Sequence, residues 1–588
     1  MEELTDAPVT GSSFERHFSA PFDEISQARI ENMCTIMDPL IGYYHSTART
    51  LPFPLLCTKD PVTPSLDASN TLLFQMISNY EDMLHCRRMP DSSIERVMYC
   101  AHALNHCLRA RKLTVKNNEK EKIIGVSDDL RDQGFHRART LILVPTKEAA
   151  RRVVHTILSL MPKGSTVSHR RRFERDFGPQ PGETDDEKRK GRKPPDYEEW
   201  FSCNVGDHFR IGIAFGKKTV KLYSAFAESD LILSSPLGIR TIIDEEREKE
   251  ADLQYITASI ELLIIDQAEM LLMQNWSNVQ TIVSMLNQRP TKSAFASAAR
   301  IRLAYLAGYG RRYRQSLIFS AVNAPQISLL LGDCENFQGF NYIPPVFPST
   351  GPYASLLPTN IRIPGSKLVN TSDCNNSNNH EVKLEFLSFA VAGQAMKSSY
   401  NADAIDDSAD EMDTTDAETK DTALSLPKGQ ILLSVGVIPD TDFSRILPRL
   451  SRGLDPRVLI YVPDFFDLEQ LRLLLTAESL DFCCIHEYTE DAEAERFRTL
   501  FSDGRIRILL LSERYYFYRR RKIRGAQNFI FYGAPTFPWF VRELLSAKYQ
   551  SAQPVIDDDK SCVTRLTFLF YPPFESSQIA AITGRLDS

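Results

Sequence analysis

Asp266, Gln267, Ala268 and Glu269 stand at the end of a short apolar run, Leu262–Ile265. A run without alternation suits a strand buried on both faces of a parallel sheet. Acids at the carboxyl end of such a strand can hold Mg²⁺ and polarise the attacking water in phosphoryl transfer. Asp266 suits the metal, whereas Gln267 cannot serve as a base. The plainer alternative is that Asp266 only caps the helix that follows. The other stretch with chemical content is Arg514–Arg524, RYYFYRRRKIR. Arg514, Arg519, Arg520, Arg521, Lys522 and Arg524 put six cations in eleven residues, with Tyr515, Tyr516, Phe517 and Tyr518 between them. Cations contact phosphates, and aromatics stack on bases for about 1–3 kcal/mol each. The competing reading packs the aromatics inward and leaves the arginines as a solvated rim. We expect Arg519, Arg520 and Arg521 to form a contact surface for RNA or an acidic partner, with some of the aromatics as anchors.

Other motifs carry less. Lys188, Arg189, Lys190, Arg192 and Lys193 lie beside Asp185, Asp186 and Glu187. The cluster fits either a nuclear import signal or a solvated loop. Ile211–Val220, IGIAFGKKTV, resembles a phosphate-binding loop, but three residues separate Gly212 from Gly216 and Lys218 stands where Ser or Thr should. It reads as a strand and turn. His85, His102 and His106 fall on separate turns and read as packing or surface residues. The 11 cysteines form no CxxC pair and show no Cys/His metal spacing. Zinc is therefore not expected, and the thiols should be reduced. No metal or cofactor is assigned.

The elements that position these residues fall into two series. Residues 1–65 form an aromatic-bearing arm, and from Thr71 to about Ala110 the pattern is helical. Leu141–Val144 is a strand ended by Pro145, with Thr146 as N-cap of a helix striped by Ala150, Val153, Val154, Ile157 and Leu158. Asp230–Leu233, Leu262–Ile265 and Leu317–Phe319 are further strands. A second series runs through Lys383–Phe389, Ile431–Val437, Val458–Val462, Phe482–Ile485, Ile506–Leu511 and Asn528–Tyr532. Asp467 is expected to cap the helix after the third of these, and Asp491–Phe501 is a helix. Alternating strands and helices in two series imply two doubly wound α/β domains, residues 66–364 and 381–588, joined by an Asn/Ser-rich linker at 365–380. An acidic low-complexity insert, about 397–426, cannot bury a core.

The 588 residues are 43% hydrophobic and 25% charged with net charge −7, so basic surfaces must be local rather than global. The polar, acidic start (Met1–Ser13) does not read as a signal peptide. No run approaches the roughly 20 apolar residues of a membrane span.

Taken in order, the motifs resemble those of DEAD-box RNA helicases, with two tandem RecA-like domains. VPTKEAA (Val144–Ala150) is similar to motif Ia, SSPLG (Ser234–Gly238) to motif Ib, and IDQAE stands at motif II. FSAV (Phe319–Val322) resembles motif III and LIYVPDFFD (Leu459–Asp467) motif IV. A helicase also needs a P-loop upstream of motif Ia, yet no glycine occurs between Gly42 and Gly125. Its phosphate-contacting arginines would follow Asn528–Tyr532, where this chain reads GAPTFPWFVRELL. Such an arginine is worth ~10³–10⁵ in rate.

That combination resembles the digestive organ expansion factor family, also called the U3 small nucleolar RNA-associated protein 25 family. The resemblance rests on FERHF (Phe14–Phe18), HALNHCLRARKLTVKNN (His102–Asn118), LRDQGFHRARTLILVP (Leu130–Pro145), SDLILSSPLG (Ser229–Gly238), YRQSLIFSA (Tyr313–Ala321) and SERYYFYRRRKIRGAQNFIFYGAP (Ser512–Pro535). It implies a helicase-like fold without helicase activity, in the nucleolar small-subunit processome that matures 18S rRNA. Partners would be processome proteins, pre-rRNA and U3 small nucleolar RNA, with no membrane. The alternatives are an active ATP-dependent RNA helicase with degenerate motifs, or another enzyme such as a nuclease, for which no acid/His/Lys constellation is present. Family members often carry a long acidic N-terminal extension, whose contacts do not transfer to this sequence.

Overall fold

A computed structural model describes residues 68–345 apart from 89–92, 126, 128–129, 163, 180–192, 202, 250–255 and 291–297. It further describes 383–388, 457–544 apart from 542, 566–571, 578 and 581–582. The 1–65 arm, the 365–380 linker, the 397–426 insert, the Ile431–Val437 strand and the Lys188–Lys193 cluster up to Arg192 lie outside the described residues. No helix among the described residues is long and apolar enough to cross a membrane. The chain forms two compact α/β units, the first reaching Pro345.

The first unit starts with α1 (Ala68–Ser78), β1 (Asp82–His85) and α2 (Ile94–Ile124). The helical pattern read from Thr71 to Ala110 is thus interrupted. Met83 and Leu84 satisfy a helical spacing, but all of β1 is buried between two other strands, and sheet pairing overrides a four-residue preference. β2 (Thr140–Leu143) leads to α3 (Lys147–Leu160), and the Thr146 hydroxyl accepts from Ala149 N at 3.2 Å as the expected N-cap. Ala150, Val153, Val154 and Ile157 bury the stripe of α3.

Next come β3 (Thr166–Ser168), α4 (Arg170–Phe177) and α5 (Pro195–Phe201). The glycine-containing stretch from Ile211 is part of an antiparallel hairpin, β4 (Arg210–Phe215) and β5 (Thr219–Ser224), so it is no phosphate loop. β6 (Leu231–Ser234) and α6 (Pro236–Lys249) precede β7 (Leu262–Ile265), which runs into α7 (Ala268–Met273) and α8 (Trp276–Met285). β8 (Gln315–Phe319) and β9 (Phe340–Ile343) complete a nine-stranded sheet ordered β3-β5-β4-β6-β2-β7-β8-β1-β9. From β6 to β9 all neighbours are parallel. Every residue of β2, β6, β7 and β8 is buried, as a sheet covered on both faces requires.

The second unit is an all-parallel six-stranded sheet. Its strands are β10 (Lys383–Ser388), β11 (Val458–Val462), β12 (Phe482–Ile485), β13 (Ile508–Ser512), β14 (Asn528–Tyr532) and β15 (Leu566–Tyr571). Their order is β10-β15-β14-β11-β13-β12. α9 (Phe465–Ala477) follows β11, α10 (Asp491–Ser502) follows β12, and α11 (Glu513–Arg519) follows β13. The N-cap of α9 is Asp464, not Asp467: Asp464 Oδ1 accepts from Phe466 N at 2.8 Å, and Asp467 is buried in the first turn. Two tandem RecA-like α/β domains are therefore the fold, as the motif order implied.

Candidate functional site

In open α/β sheets ligands bind beyond the carboxyl ends of the strands, where the strand order reverses. In the first unit the chain leaves β1, skips two strand positions and continues in β2, so the carboxyl ends of β1, β8 and β7 border that point. The loop from β1 to α2 has the strand–loop–helix setting of a P-loop. It begins Cys86, Arg87, Arg88 and ends at Ser93.

Arg88 is the centre of what stands there. Its backbone N donates to Ser320 O at 3.0 Å, and Ser320 N donates to His85 O at 2.9 Å, which ties the loop to the end of β8. Its side chain is fully buried, with Nε 2.6 Å from Asp266 Oδ1. The Tyr99 hydroxyl, from α2, donates to Asp266 Oδ2 at 2.8 Å, and Gln267 N donates to Oδ1 at 2.9 Å. Both Asp266 oxygens are thereby engaged. Burial opposes the Arg88 charge, but Asp266, Glu269 and Glu95 more than offset it and hold the guanidinium protonated. Burial, followed by the Asp266 charge, lifts the Tyr99 hydroxyl well above its usual range, so it stays a donor. Glu269 is fully buried; desolvation raises its pKa, and Ala321 N donates to its Oε2 at 3.1 Å. Glu95 is buried in the first turn of α2, where a helix N-terminus would otherwise favour a phosphate.

Neither sequence reading of Asp266 survives. It does not cap α7, because Gln267 occupies the N-cap position in a left-handed conformation at φ 59°. It also does not present an open carboxylate, because a guanidinium and a tyrosine hold it. Mg²⁺ demands near-octahedral oxygen ligation and repels an adjacent cation. The residues present do not fit Mg²⁺–nucleotide: Asp266, the carboxylate that would hold the ion, is already paired with the chain's own Arg88 and Tyr99. Arg88 and Tyr99 were missed from sequence. The only available signal was a non-glycine loop in the P-loop position.

The histidines are structural: His102 Nε2 lies 2.8 Å from Gln315 Oε1, and His106 lies 3.1 Å from the Tyr80 hydroxyl and 3.0 Å from Glu261. No His/Cys/Asp/Glu group that could hold a metal occurs among the described residues.

The segment Arg514–Arg524 divides in two. Ser512 caps α11 by accepting from Tyr515 N at 3.2 Å. Tyr515, Tyr516 and Phe517 are buried, with Phe517 stacked on Phe537 at 5.1 Å and Tyr516 donating to Glu543 at 3.1 Å. Arg520 does not belong to a contact surface. It sits in the left-handed C-cap of α11 at φ 43°, which turns its side chain inward onto Glu543, at 2.7 and 2.9 Å, and over the Phe540 ring at 4.1 Å. Arg519, Arg521, Lys522 and Arg524 are exposed, Arg514 is half-buried, and Arg519 lies 3.2 Å from Asp491.

A family profile described as UTP25, NTP hydrolase-like domain, matches residues 80–341, and one described as Utp25, C-terminal domain, matches residues 442–587. The U3 small nucleolar RNA-associated protein 25 homolog of Xenopus tropicalis is 32% identical over 523 residues, covering 87% of this chain and 59% of that protein. The human homolog is 31% identical over 523 residues, again 87% of this chain, and 60% of its own length. The Neurospora crassa protein of the same name is 30% identical over 585 residues, 92% of this chain and 68% of its own. The chain thus spans about three fifths of the length of the vertebrate relatives. The crystal structure of the yeast DEAD-box splicing factor Prp28 aligns over 90% of this chain and 81% of its own, at 11% identity and TM-score 0.27. With both domain profiles and these relatives in agreement, the chain belongs to the U3 small nucleolar RNA-associated protein 25 family.

Proposed function

We propose that this protein is a non-catalytic, helicase-like scaffold of the nucleolar small-subunit processome, needed for pre-rRNA processing and 18S rRNA maturation. Its place of action is the nucleus and nucleolus, and its partners are processome proteins, pre-rRNA and U3 small nucleolar RNA. The names of the relatives support the setting. The observation that carries the non-catalytic part is the buried Arg88–Asp266 pair, locked further by Tyr99. An ATP-driven cycle would require Arg88 to leave Asp266 at each turnover, exposing two buried charges. The exposed Arg519, Arg521, Lys522 and Arg524, with Arg514, supply a contact surface in the second unit for rRNA or an acidic partner.

The test is a titration of the purified chain with fluorescent ATP and Mg²⁺, followed by phosphate release with RNA present. We expect no saturable nucleotide binding and no turnover. Hydrolysis at a helicase-like ~1 s⁻¹ would overturn the non-catalytic reading; typical enzymes run at ~1–10³ s⁻¹. In cells, tagged protein should co-sediment with small-subunit precursors, and a wholly cytoplasmic location would refute the processome assignment.

A further inference from the structure

The outer edge of the first sheet carries a charge pattern that neither the closed nucleotide site nor the second-unit surface uses. α4 follows edge strand β3 directly and packs inward through Phe173 and Phe177, whose rings stack at 4.7 Å; Phe173 lies 6.5 Å from His155 of α3 and Phe177 5.5 Å from Phe209. Its outward positions are Arg170, Arg171, Arg172 and Arg175, all exposed. The same edge receives Lys217 and Lys218 from the β4–β5 turn, and Lys221 from β5; Thr166 N, in β3, donates to Lys218 O at 2.9 Å. The carboxylates on these elements and their contacts are Glu174, Asp176 and Glu228, which engage His155, Arg172, Arg175 and Lys221. Among the described residues seven cations on these elements thus stand against three carboxylates, in a chain whose overall charge is −7. Among the described residues Arg170, Arg171, Lys217 and Lys218 form no ion pair.

This placement does not serve folding. Three arginines fill the first turn of α4, at the positive end of the helix dipole, with no acid there and no side-chain cap. Arg172 is compensated by Asp176, but Arg170 and Arg171 oppose the dipole with no ion pair among the described residues, and such local conflicts are expected at functional or strained sites. The Arg172 guanidinium also lies 4.1 Å over the Tyr223 ring, and that ring is pinned by its hydroxyl donating to Asp176 at 2.9 Å.

We propose that this α4–β5 edge binds the sugar-phosphate backbone of RNA. Arginine forks match phosphate oxygens, and an arginine lying over an aromatic ring offers a surface on which an unstacked base can stack. The proposal rests on the assembly reading above, because pre-rRNA is the polyanion that reading supplies.

The test uses the full chain and a fluorescein-labelled 20-nucleotide single-stranded RNA, with binding read by anisotropy between 50 and 200 mM KCl. A variant carrying Arg170→Glu, Arg171→Glu, Lys217→Glu and Lys218→Glu should keep its melting temperature. It should bind at least ~10-fold more weakly, with a salt slope shallower by about 3, since each phosphate no longer neutralised removes about 0.7. The corresponding glutamine variant, which introduces no negative charge, should show the same loss of slope. Unchanged affinity and slope in both variants would overturn the proposal. So would tighter binding of a 20-residue polyglutamate than of RNA, which would make the edge a protein-docking surface. Co-sedimentation of the wild-type chain with small-subunit precursors is scored alongside. Particle association without edge-dependent RNA binding refutes this proposal alone, whereas loss of particle association refutes the assembly reading.

Discussion

At the scale of single residues, Arg88 and Asp266 exchange the usual meaning of a motif II aspartate. The acid here neutralises a buried cation, and the pair has 0% and 3% side-chain exposure. Removing one member of such a pair leaves the other charged and dry, at a cost of about 3–5 kcal/mol, whereas replacing both with apolar residues is often near neutral. Asp266→Ala should therefore lower unfolding stability by far more than the ~1 kcal/mol of a lost helix cap. The double variant Arg88→Met/Asp266→Leu should recover much of that loss. Urea unfolding of the two single variants and the double gives the coupling directly. A cost for Asp266→Ala below ~1 kcal/mol would show that the pair contributes little.

At the scale of the element, α11 and the turn behind it show how one basic string separates into a buried and an exposed set. The helix puts Tyr516 and Phe517 inward, and the left-handed turn at Arg520 sends the next side chain back to Glu543. Arg520→Ala breaks a two-pronged pair whose acid is 25% exposed and can rehydrate, so the expected loss is about 2–3 kcal/mol. Arg521→Glu, Lys522→Glu and Arg524→Glu lie on exposed positions and should change stability by only about 0.5 kcal/mol each. The triple variant should lose particle association while its melting temperature holds. If Arg520→Ala melts normally and the triple variant still co-purifies at wild-type yield, the division is wrong on both sides.

At the scale of the whole molecule, stability should fall on mild acidification. Burial, reinforced by the Arg87 and Arg88 charges, holds His85 down at about 4, and burial together with the His106 charge holds His102 at about 3. Both folded values lie below the ordinary 6.5. Their stabilising contribution is thus complete above pH 6.5 and drains as pH falls through about 4 and then about 3, since the unfolded chain takes up the protons first. Asp82 works the other way: burial raises it from 3.8 to about 6, so its contribution is present below 3.8 and lost as pH rises through 6. His136, held at about 4 by burial, adds to the loss, while Glu269, raised by burial, opposes it alongside Asp82; three histidines against two acids leave a net loss between pH 6.5 and 4, on the order of 2 kcal/mol for each of His85 and His102 by pH 5 before that offset. Urea midpoints at pH 7 and pH 5 measure it, and His102→Gln should flatten the difference. A higher midpoint at pH 5 in the wild type would reverse the assigned balance.

The sequence by itself determined what local pattern can carry. Continuous apolar runs such as Leu262–Ile265, the Thr146 cap and the order of motif-like turns specified two tandem α/β domains, because strand burial and capping depend on near neighbours. The missing glycine cradle was equally plain in the chain. Only the tertiary structure decided what took its place. β1 is four residues long and its apolar pair fits a helix as well as a strand, so pairing with β8 and β9 alone made it a strand. That pairing carries Arg88 to the end of β7, 178 positions from Asp266 in sequence, and no spacing rule connects residues so far apart. Arg520 is the same case at 23 residues: a charge reads as exposed until a carboxylate on another element is found beside it. Burial of a charge is a property of its three-dimensional partners, and partners are what folding, not local order, brings together.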